Sequence, residues 1–307
     1  MSAPTAGPST QSRRAIAWGR RRAALGRVAR EFASNRAGLV GLGVLVAIVL
    51  MAVTVPLWMD MAAAQSVTKA TGGILDAPSG EFWLGTDYAG RSVLELTLLG
   101  TRVSLLVGFA AAALSVGIGT IVGMLTGHFR GWTSAVLMRF TDFFLVIPSL
   151  VMAIVLSTML TRGIWTIVLA IGVTSWPATA RLVRAQTLTI EARPYVERAQ
   201  ALGGGHSHIL GKHVLPAVLP LVLANTTLTV GTAIILESTL AFLGLGDTSQ
   251  VSWGGMLKAA LDTGAVTAGA WWYLLPPGFA IVFVVLAFTM CGRALETVLN
   301  PNLRGRS

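Results

Sequence analysis

Charge is what this sequence lacks most. Only 12% of its 307 residues are Asp, Glu, Lys or Arg, while 54% are hydrophobic. A water-soluble domain carries roughly a quarter charged residues. With a mean hydropathy of +0.71, too little polar surface remains to cover a soluble fold, a deficit that makes sense if lipid covers its flanks. Cysteine occurs once, as Cys291, which excludes an internal disulfide and a cysteine-based zinc cluster. Its place in the last apolar run points to inert packing. A phosphate-binding loop is also missing. The sole Gly-Lys pair is Gly211-Lys212, with His206 where the first glycine belongs and His213 where Ser or Thr belongs. No His-Glu-x-x-His sequence supports a zinc protease. The formal net charge of +10 sits in short blocks between apolar runs and forms no basic face, which argues against nucleic acid as a partner.

What the sequence does contain is six long apolar stretches. They cover Gly38–Trp58, Val103–Gly127, Phe143–Leu160, Gly163–Ala180, Val214–Gly246 and Thr263–Gly292. A spanning helix needs about 20 apolar residues, so each is long enough, and the last two exceed one span. Pro148, Pro177, Pro220, Pro276 and Pro277 fall inside these runs, where membrane helices tolerate proline as a kink. The first run is too long, and its polar leader too extended, for a cleaved signal peptide. The fold class predicted is all-α membrane, with six transmembrane helices. The predicted organisation is a basic arm over 1–36, a first helix over 37–58, an external segment over 59–101, a five-helix core over 102–296 and a tail over 297–307.

Orientation follows from Lys and Arg, which concentrate in cytoplasmic connections. With the N-terminus inside, 18 of the 23 basic residues fall on the inner side. The outer connections are relatively acidic, holding Asp60, Asp76, Glu81, Asp87, Glu95, Asp247 and Asp262. Both termini are therefore expected in the cytoplasm. The arginine-rich arm, with Arg20, Arg21, Arg22, Arg27, Arg30 and Arg36, reads as a topogenic tail against membrane lipid.

The longest inner connection, Arg181–His213, is predicted to form two short helices around a glycine turn. Pro194 suits a first helical turn, Gly203-Gly204-Gly205 suit its end, and Ser207 is a candidate cap for the second helix. Within it lie Glu197-Arg198-Ala199, three residues, Gly203, nine residues, then His213-Val214-Leu215-Pro216. This pattern resembles the docking motif of the permease family of ABC importers, Glu-Ala-Ala, three residues, Gly, nine residues, Ile-x-Leu-Pro. Arg198 and His213 are the departures.

The resemblance continues through Gly85-Thr86-Asp87 with Gly90-Arg91, where Ser92 replaces a usual Asp. It extends to Met138-Arg139 with Asp142 and Pro148, and to Phe242-Leu243-Gly244-Leu245-Gly246 with Ser252-Trp253-Gly254. It covers roughly residues 30–304 and is similar to C-type permeases of dipeptide, oligopeptide and nickel importers. The resemblance implies a type I importer fold in the bacterial cytoplasmic membrane. It implies a second permease subunit, two ATP-binding-cassette ATPase subunits and an extracytoplasmic binding protein as partners. No cofactor is expected on this chain, with ATP and magnesium held by the ATPases. Glu197, Ala199, Gly203, Leu215 and Pro216 are the implied coupling residues. Importers of nickel, glutathione or another small solute share this architecture, and a membrane enzyme or ATP-independent channel is the remaining rival.

Four further features are singled out. Glu237 interrupts the fifth apolar run, where a charge is costly unless it faces protein or water. It is read as lining the pathway, as a structural hydrogen-bonding group, or as lying near the outer interface. Asp142 is expected to pair with Arg139 or an arginine of the inner loop. His206, His208 and His213 lack a partner spaced for a metal site and are read as surface. Trp271, Trp272 and Tyr273 are read as an interfacial belt.

Overall fold

The computed structural model describes Gly26 and residues 29–299. Most of the predicted basic arm, including Arg20, Arg21, Arg22 and Arg27, and the tail arginines Arg304 and Arg306 lie outside the described residues. Among those described there is no β-strand, only one bridge between Thr86 and Ser92.

The long helices are α1 (Arg36–Trp58), α3 (Val93–His128), α4 (Trp132–Val146) with α5 (Ser149–Met159), α6 (Ile164–Glu191), α9 (Leu215–Phe242) and α11 (Trp271–Leu299). Short helices are α2 (Met61–Gln65), α7 (Pro194–Ala201), α8 (His206–Ile209) and α10 (Trp253–Asp262). Five of the long elements are apolar and long enough to cross a membrane, and a sixth if α4 and α5 form one broken span.

The observed boundaries depart from the predicted ones in three places. α3 starts at Val93, not near Val103, because Ser92 caps it by accepting from the Glu95 N–H at 3.4 Å. Its 36 residues reach about 54 Å at 1.5 Å each, well beyond a hydrocarbon core of about 30 Å. The third apolar run is not one helix: the chain bends by 88° between α4 and α5. Pro148 stands at the break, where it lacks an N–H and disfavours a helical residue before it. Pro177, Pro220, Pro276 and Pro277 instead remain inside continuous helices. The inner connection is also shorter than Arg181–His213. Polar residues 181–191 continue α6, and residues from His206 onward already lead into α9.

α6 is the central element: 61% of its most apolar window is buried within the chain, against 22% for α1 and 28% for α11. It packs along α3, the most extensive helix pair among the described residues. Glycines make that approach possible. A Cβ on Gly119 would stand 2.7 Å from the Trp176 carbonyl oxygen, and one on Gly123 2.6 Å from that of Ala180. One on Gly127 would meet Thr187 Cβ at 2.6 Å. Small residues four apart let membrane helices touch backbone to backbone, where dispersion and not the hydrophobic effect binds them. α9 closes the third side, with Ile234 filling the notch at Gly108. α1 lies outermost on α11, again at small residues, with Gly38 against Ala294 and Gly41 against Ala287.

Gly123→Leu is therefore expected to separate α3 from α6 and lower the melting temperature of the purified chain, since overpacking costs about 1–3 kcal/mol or more. Gly117 on the same helix has nothing within 4 Å of an added Cβ, so Gly117→Ala is expected to melt like wild type. Thermal unfolding in detergent checks both.

Candidate functional site

The two ends of the bundle are built differently. At one end α6 turns directly into α7. Arg193 precedes Pro194 and is extended, and Pro194 occupies the first helical turn. α7 is amphipathic across a short span. Val196 is 0% exposed and packs among Val183, Ile190, Ile209, Val214 and Val218, with Ala199 beside it. The other face carries exposed Tyr195, Glu197 and Arg198, and Leu202 just past the helix is 88% exposed.

Gly203 terminates the helix with φ +86. Its N–H donates to the Gln200 carbonyl at 2.9 Å and the Gly204 N–H to that of Ala199 at 2.9 Å, the paired closure of a Schellman turn. α8 then begins on Gly205, which takes the place predicted for Ser207 because Ser207 already lies inside the helix and makes no side-chain cap. Leu210–Val214 widen into a π turn before Leu215 and Pro216 open α9. The wider turn accommodates Pro216, which has no N–H to give and whose ring would crowd a normal helical carbonyl. Leu215 is partly exposed at this junction. Glu197, Gly203, Leu215 and Pro216 thus fall on one small projection and its stem, while Ala199 faces inward.

A polar chain missed by the sequence reading anchors that projection. His128, the last residue of α3, hydrogen-bonds Glu191, the last of α6, through Nδ1, and shares a 2.8 Å bond from Nε2 with His206 Nδ1. His128 and Glu191 side chains are 4% and 10% exposed. Three helix ends are thereby tied together. His208 and His213 instead meet edge to face, with Tyr195 beside His213. Among the described residues no group of three His, Cys, Asp or Glu side chains is placed to hold a metal ion. Asp142 accepts from Arg181 Nη2 at 2.6 Å, joining α4 to α6. Both side chains are roughly half exposed, so the pair contributes at most about 1 kcal/mol.

The other end is a cap and a mouth. Gly85 and Gly90 have φ +66 and +78, and a Cβ on Gly90 would lie 2.2 Å from the Gly72 carbonyl oxygen. Between them Asp87, 0% exposed, accepts from the Ala89 and Arg91 N–H groups and from both Nε and Nη2 of Arg91, at 2.6–2.9 Å. Arg91 also donates to the Gln65 carbonyl at 3.1 Å, which binds the loop to the end of α2. Beside it opens a cavity of about 600 Å³ lined by Arg91, Arg162, Asp247, Lys258 and Tyr273 among others. There the Ser249 hydroxyl holds the Asp247 carboxyl below its ordinary range.

Glu237 lies behind this mouth and is 1% exposed. Hydroxyls of Ser104, Ser238 and Ser252 surround its carboxyl. Next to it Trp253 donates from its N–H to Ser104 Oγ at 3.4 Å and from Nε1 to the Thr97 carbonyl at 3.0 Å. Gly254 sits so close to α9 that a Cβ would be 2.2 Å from the Ser238 carbonyl oxygen. The cluster joins α3, α9 and α10. Of the three aromatics at the start of α11, Trp271 is 56% exposed, whereas Tyr273 is 1% exposed and belongs to the core under the cap.

Residues 119–305 match the family model described as binding-protein-dependent transport system inner membrane component. Residues 24–71 match that of the N-terminal TM domain of oligopeptide transport permease C. The chain is 38% identical over 278 residues to the oligopeptide transport system permease protein OppC of Bacillus subtilis, covering 89% of this chain and 88% of that one. It is 36% identical over 277 residues to the dipeptide transport system permease protein DppC of the same organism, covering 90% and 85%. Identity is 34% over 230 residues to the glutathione transport system permease protein GsiD of Pectobacterium atrosepticum, covering 75% of each.

Gly203→Val is expected to loosen the projection through backbone strain alone, because nothing lies within 4 Å of an added Cβ but φ is positive. Gly205→Ala, equally open and with φ −69, is expected to be silent. Hydrogen exchange over residues 194–214 separates the two, rising in Gly203→Val only.

Proposed function

The chain belongs to the family of binding-protein-dependent transport system inner membrane components, and from that premise we propose that it is the C-type permease subunit of an ATP-driven importer of dipeptides or oligopeptides. It is a multi-pass protein of the bacterial inner membrane and performs transport, not covalent chemistry. The similarity to oligopeptide and dipeptide permeases supports the peptide substrate. The relative named for glutathione transport favours one neighbouring reading, a small peptide-like solute on the same machinery.

The observation that carries the proposal is the projection. α7 is an eight-residue helix, held at its root by Val196 and the His128 chain, with Tyr195 exposed in its first turn and apolar Leu202 bared just past its far end. An exposed leucine on a surface loop is by itself ordinary. On a braced knob that directly continues the most buried helix, it fits a cleft in another subunit. In this reading the knob end faces the cytoplasm, both termini lie on that side, and α7 seats in an ATPase subunit that binds ATP and magnesium.

Glu197 and Arg198 supply polar contacts at the docking face. Ala199 and Gly203 shape the knob from within, and Leu215 and Pro216 shape its second stem. A second permease completes the translocation path, two ATPase subunits drive it, and an extracytoplasmic binding protein delivers substrate to the mouth beside Arg91 and Asp247. Closure of the ATPases draws the knobs together, and α6 tips with them, moving the bundle between inward-facing and outward-facing states. Glu237 serves the outer gate by keeping α10 locked to α3 and α9, rather than by touching the substrate.

Leu202→Glu tests the docking face. Surface changes of this kind cost the fold about 0.5 kcal/mol or less, so the variant is expected to insert and melt normally. Loss of an interface anchor worth about 2 kcal/mol lowers ATPase affinity roughly 30-fold. The test is co-purification of the ATPases with the permease pair, followed by uptake of a tripeptide in liposomes with binding protein outside. Normal ATPase recovery and normal uptake would refute docking through α7.

A further inference from the structure

A cation drawn into a protein is normally paired with a carboxylate. Two arginines at the α7 end of the bundle are not. Arg130, in the turn between α3 and α4, and Arg184, on α6, line a cavity of about 330 Å³ together with Gly127, Ser134, Met138 and Leu188 among others. Neither guanidinium has an ion-pair or hydrogen-bond partner among the described residues. No acidic side chain among them lines the cavity. The acids of α4 and α6 are engaged elsewhere, Asp142 with Arg181 and Glu191 with His128. The hydroxyls at the cavity are also committed to backbone. Thr126 donates to the Val122 carbonyl at 2.8 Å, and Ser134 to that of Thr126 at 2.7 Å.

The side chains indicate the ligand. Arg130 is exposed and Arg184 half-buried. The Arg184 Nε is enclosed without a partner, so a ligand is met by its two Nη groups. Two guanidinium forks with no carboxylate between them suit a phosphate. The first turn of α4 adds to this, since Gly131 supplies no side-chain cap for its N–H groups. A headgroup amine would find no acid in the cavity, so a net anionic phosphodiester fits better than a zwitterionic one. The surface beside the cavity indicates what carries the phosphate. Trp132 follows the turn and is 83% exposed, and Val136, Phe140 and Phe143 continue from it, all exposed, along one side of α4. A bared tryptophan at the end of an apolar stripe marks headgroup level, and the stripe offers an acyl chain its path. That points to an amphiphile in place of a free phosphate.

We propose that this cavity binds the headgroup of an anionic phospholipid, with Arg130 and Arg184 on its phosphate and an acyl chain along the Trp132–Phe143 side of α4. Basic pockets between membrane helices recognise lipid headgroups by this chemistry. The inference needs only the membrane-spanning fold and is independent of the peptide-import reading. The phosphate bridges the α3–α4 turn to the stretch of α6 that leads into α7, so the lipid braces the projection from the membrane side.

The test titrates the purified full chain in detergent with fluorescent phosphatidylglycerol, adding unlabelled phosphatidylglycerol, phosphatidylcholine or inorganic phosphate as competitor. Wild type is compared with Arg130→Gln, with Arg130→Gln plus Arg184→Gln, and with Arg139→Gln. Arg139 is exposed on α4 and does not line the cavity. Each cavity arginine is expected to change affinity about fivefold, so the double variant binds roughly 25-fold more weakly, while Arg139→Gln binds like wild type. Phosphatidylcholine and inorganic phosphate are expected to compete poorly. Equal affinity in all four proteins would overturn the site and leave only a nonspecific lipid annulus. Displacement by inorganic phosphate would overturn the lipid in favour of a soluble phosphate compound. Displacement by phosphatidylcholine as effective as by unlabelled phosphatidylglycerol would overturn the anionic headgroup. If the double variant does not fold, Arg130→Gln decides alone, because Arg130 is exposed. A fivefold loss in a normally melting protein supports the site, and no loss overturns it.

Discussion

The close contact between α3 and α6 is the constraint on which the rest of the structure depends. Gly119, Gly123 and Gly127 let α3 lie against the backbone of α6 at Trp176, Ala180 and Arg184. In lipid there is no hydrophobic gain from bringing two apolar helices together, so such a pair must be held by dispersion over a close surface. The dense seam has a mechanical result. Packed interfaces rearrange between discrete states and do not deform smoothly, so α3 and α6 are expected to move as one beam about as long as α3 itself.

Both ends of the bundle are fastened to that helix pair. At one end α6 runs into α7, and the Glu191–His128–His206 chain ties the ends of α3 and α6 to the stem that leads into α9. At the other end the Asp87–Arg91 loop that leads into α3 is tied to the end of α2 through Gln65, and the Trp253–Glu237 cluster locks α10 across α3 and α9. Buried polar groups in a membrane protein are expensive, and here they occur where separate helices must keep one register. Ser115 and Ser175 differ, since their hydroxyls are left unpartnered.

The features most legible in the sequence were those set by composition and by local chemistry. Long apolar runs revealed the spans, and Pro194 with the glycines at 203–205 revealed a short helix with a sharp end. What escaped was set by tertiary contact. His128 and Glu191 are 63 residues apart and each closes a separate helix, so no local pattern links them. Helix α3 was read too short because Glu95 and Arg102 looked like the polar border of a span, although helices continue past the lipid boundary. Residues 181–191 look by composition like part of the inner connection for the same reason, although they continue α6. Pro148 signalled a kink, but the 88° turn depends on how α5 packs on α6. Three glycines four apart on α3 carried a readable signal for close packing. Glu237 showed as costly in the sequence, while its serine partners on α3 and before α10 appeared only once the chain was folded.

The central claim is that α3 and α6 move as one body when the projection is driven. It is tested most directly by electron–electron distance measurements on spin labels in the assembled transporter. One pair goes at Ile121 and Leu182, exposed on α3 and α6. A second pair goes at Gln200 of α7 and the matching projection of the proposed second permease. Trapping the ATPases closed is predicted to shorten the second distance while the first keeps the same narrow distribution. A first distance that shifts or broadens together with the second would show the helices sliding past each other, and would contradict the rigid-beam account.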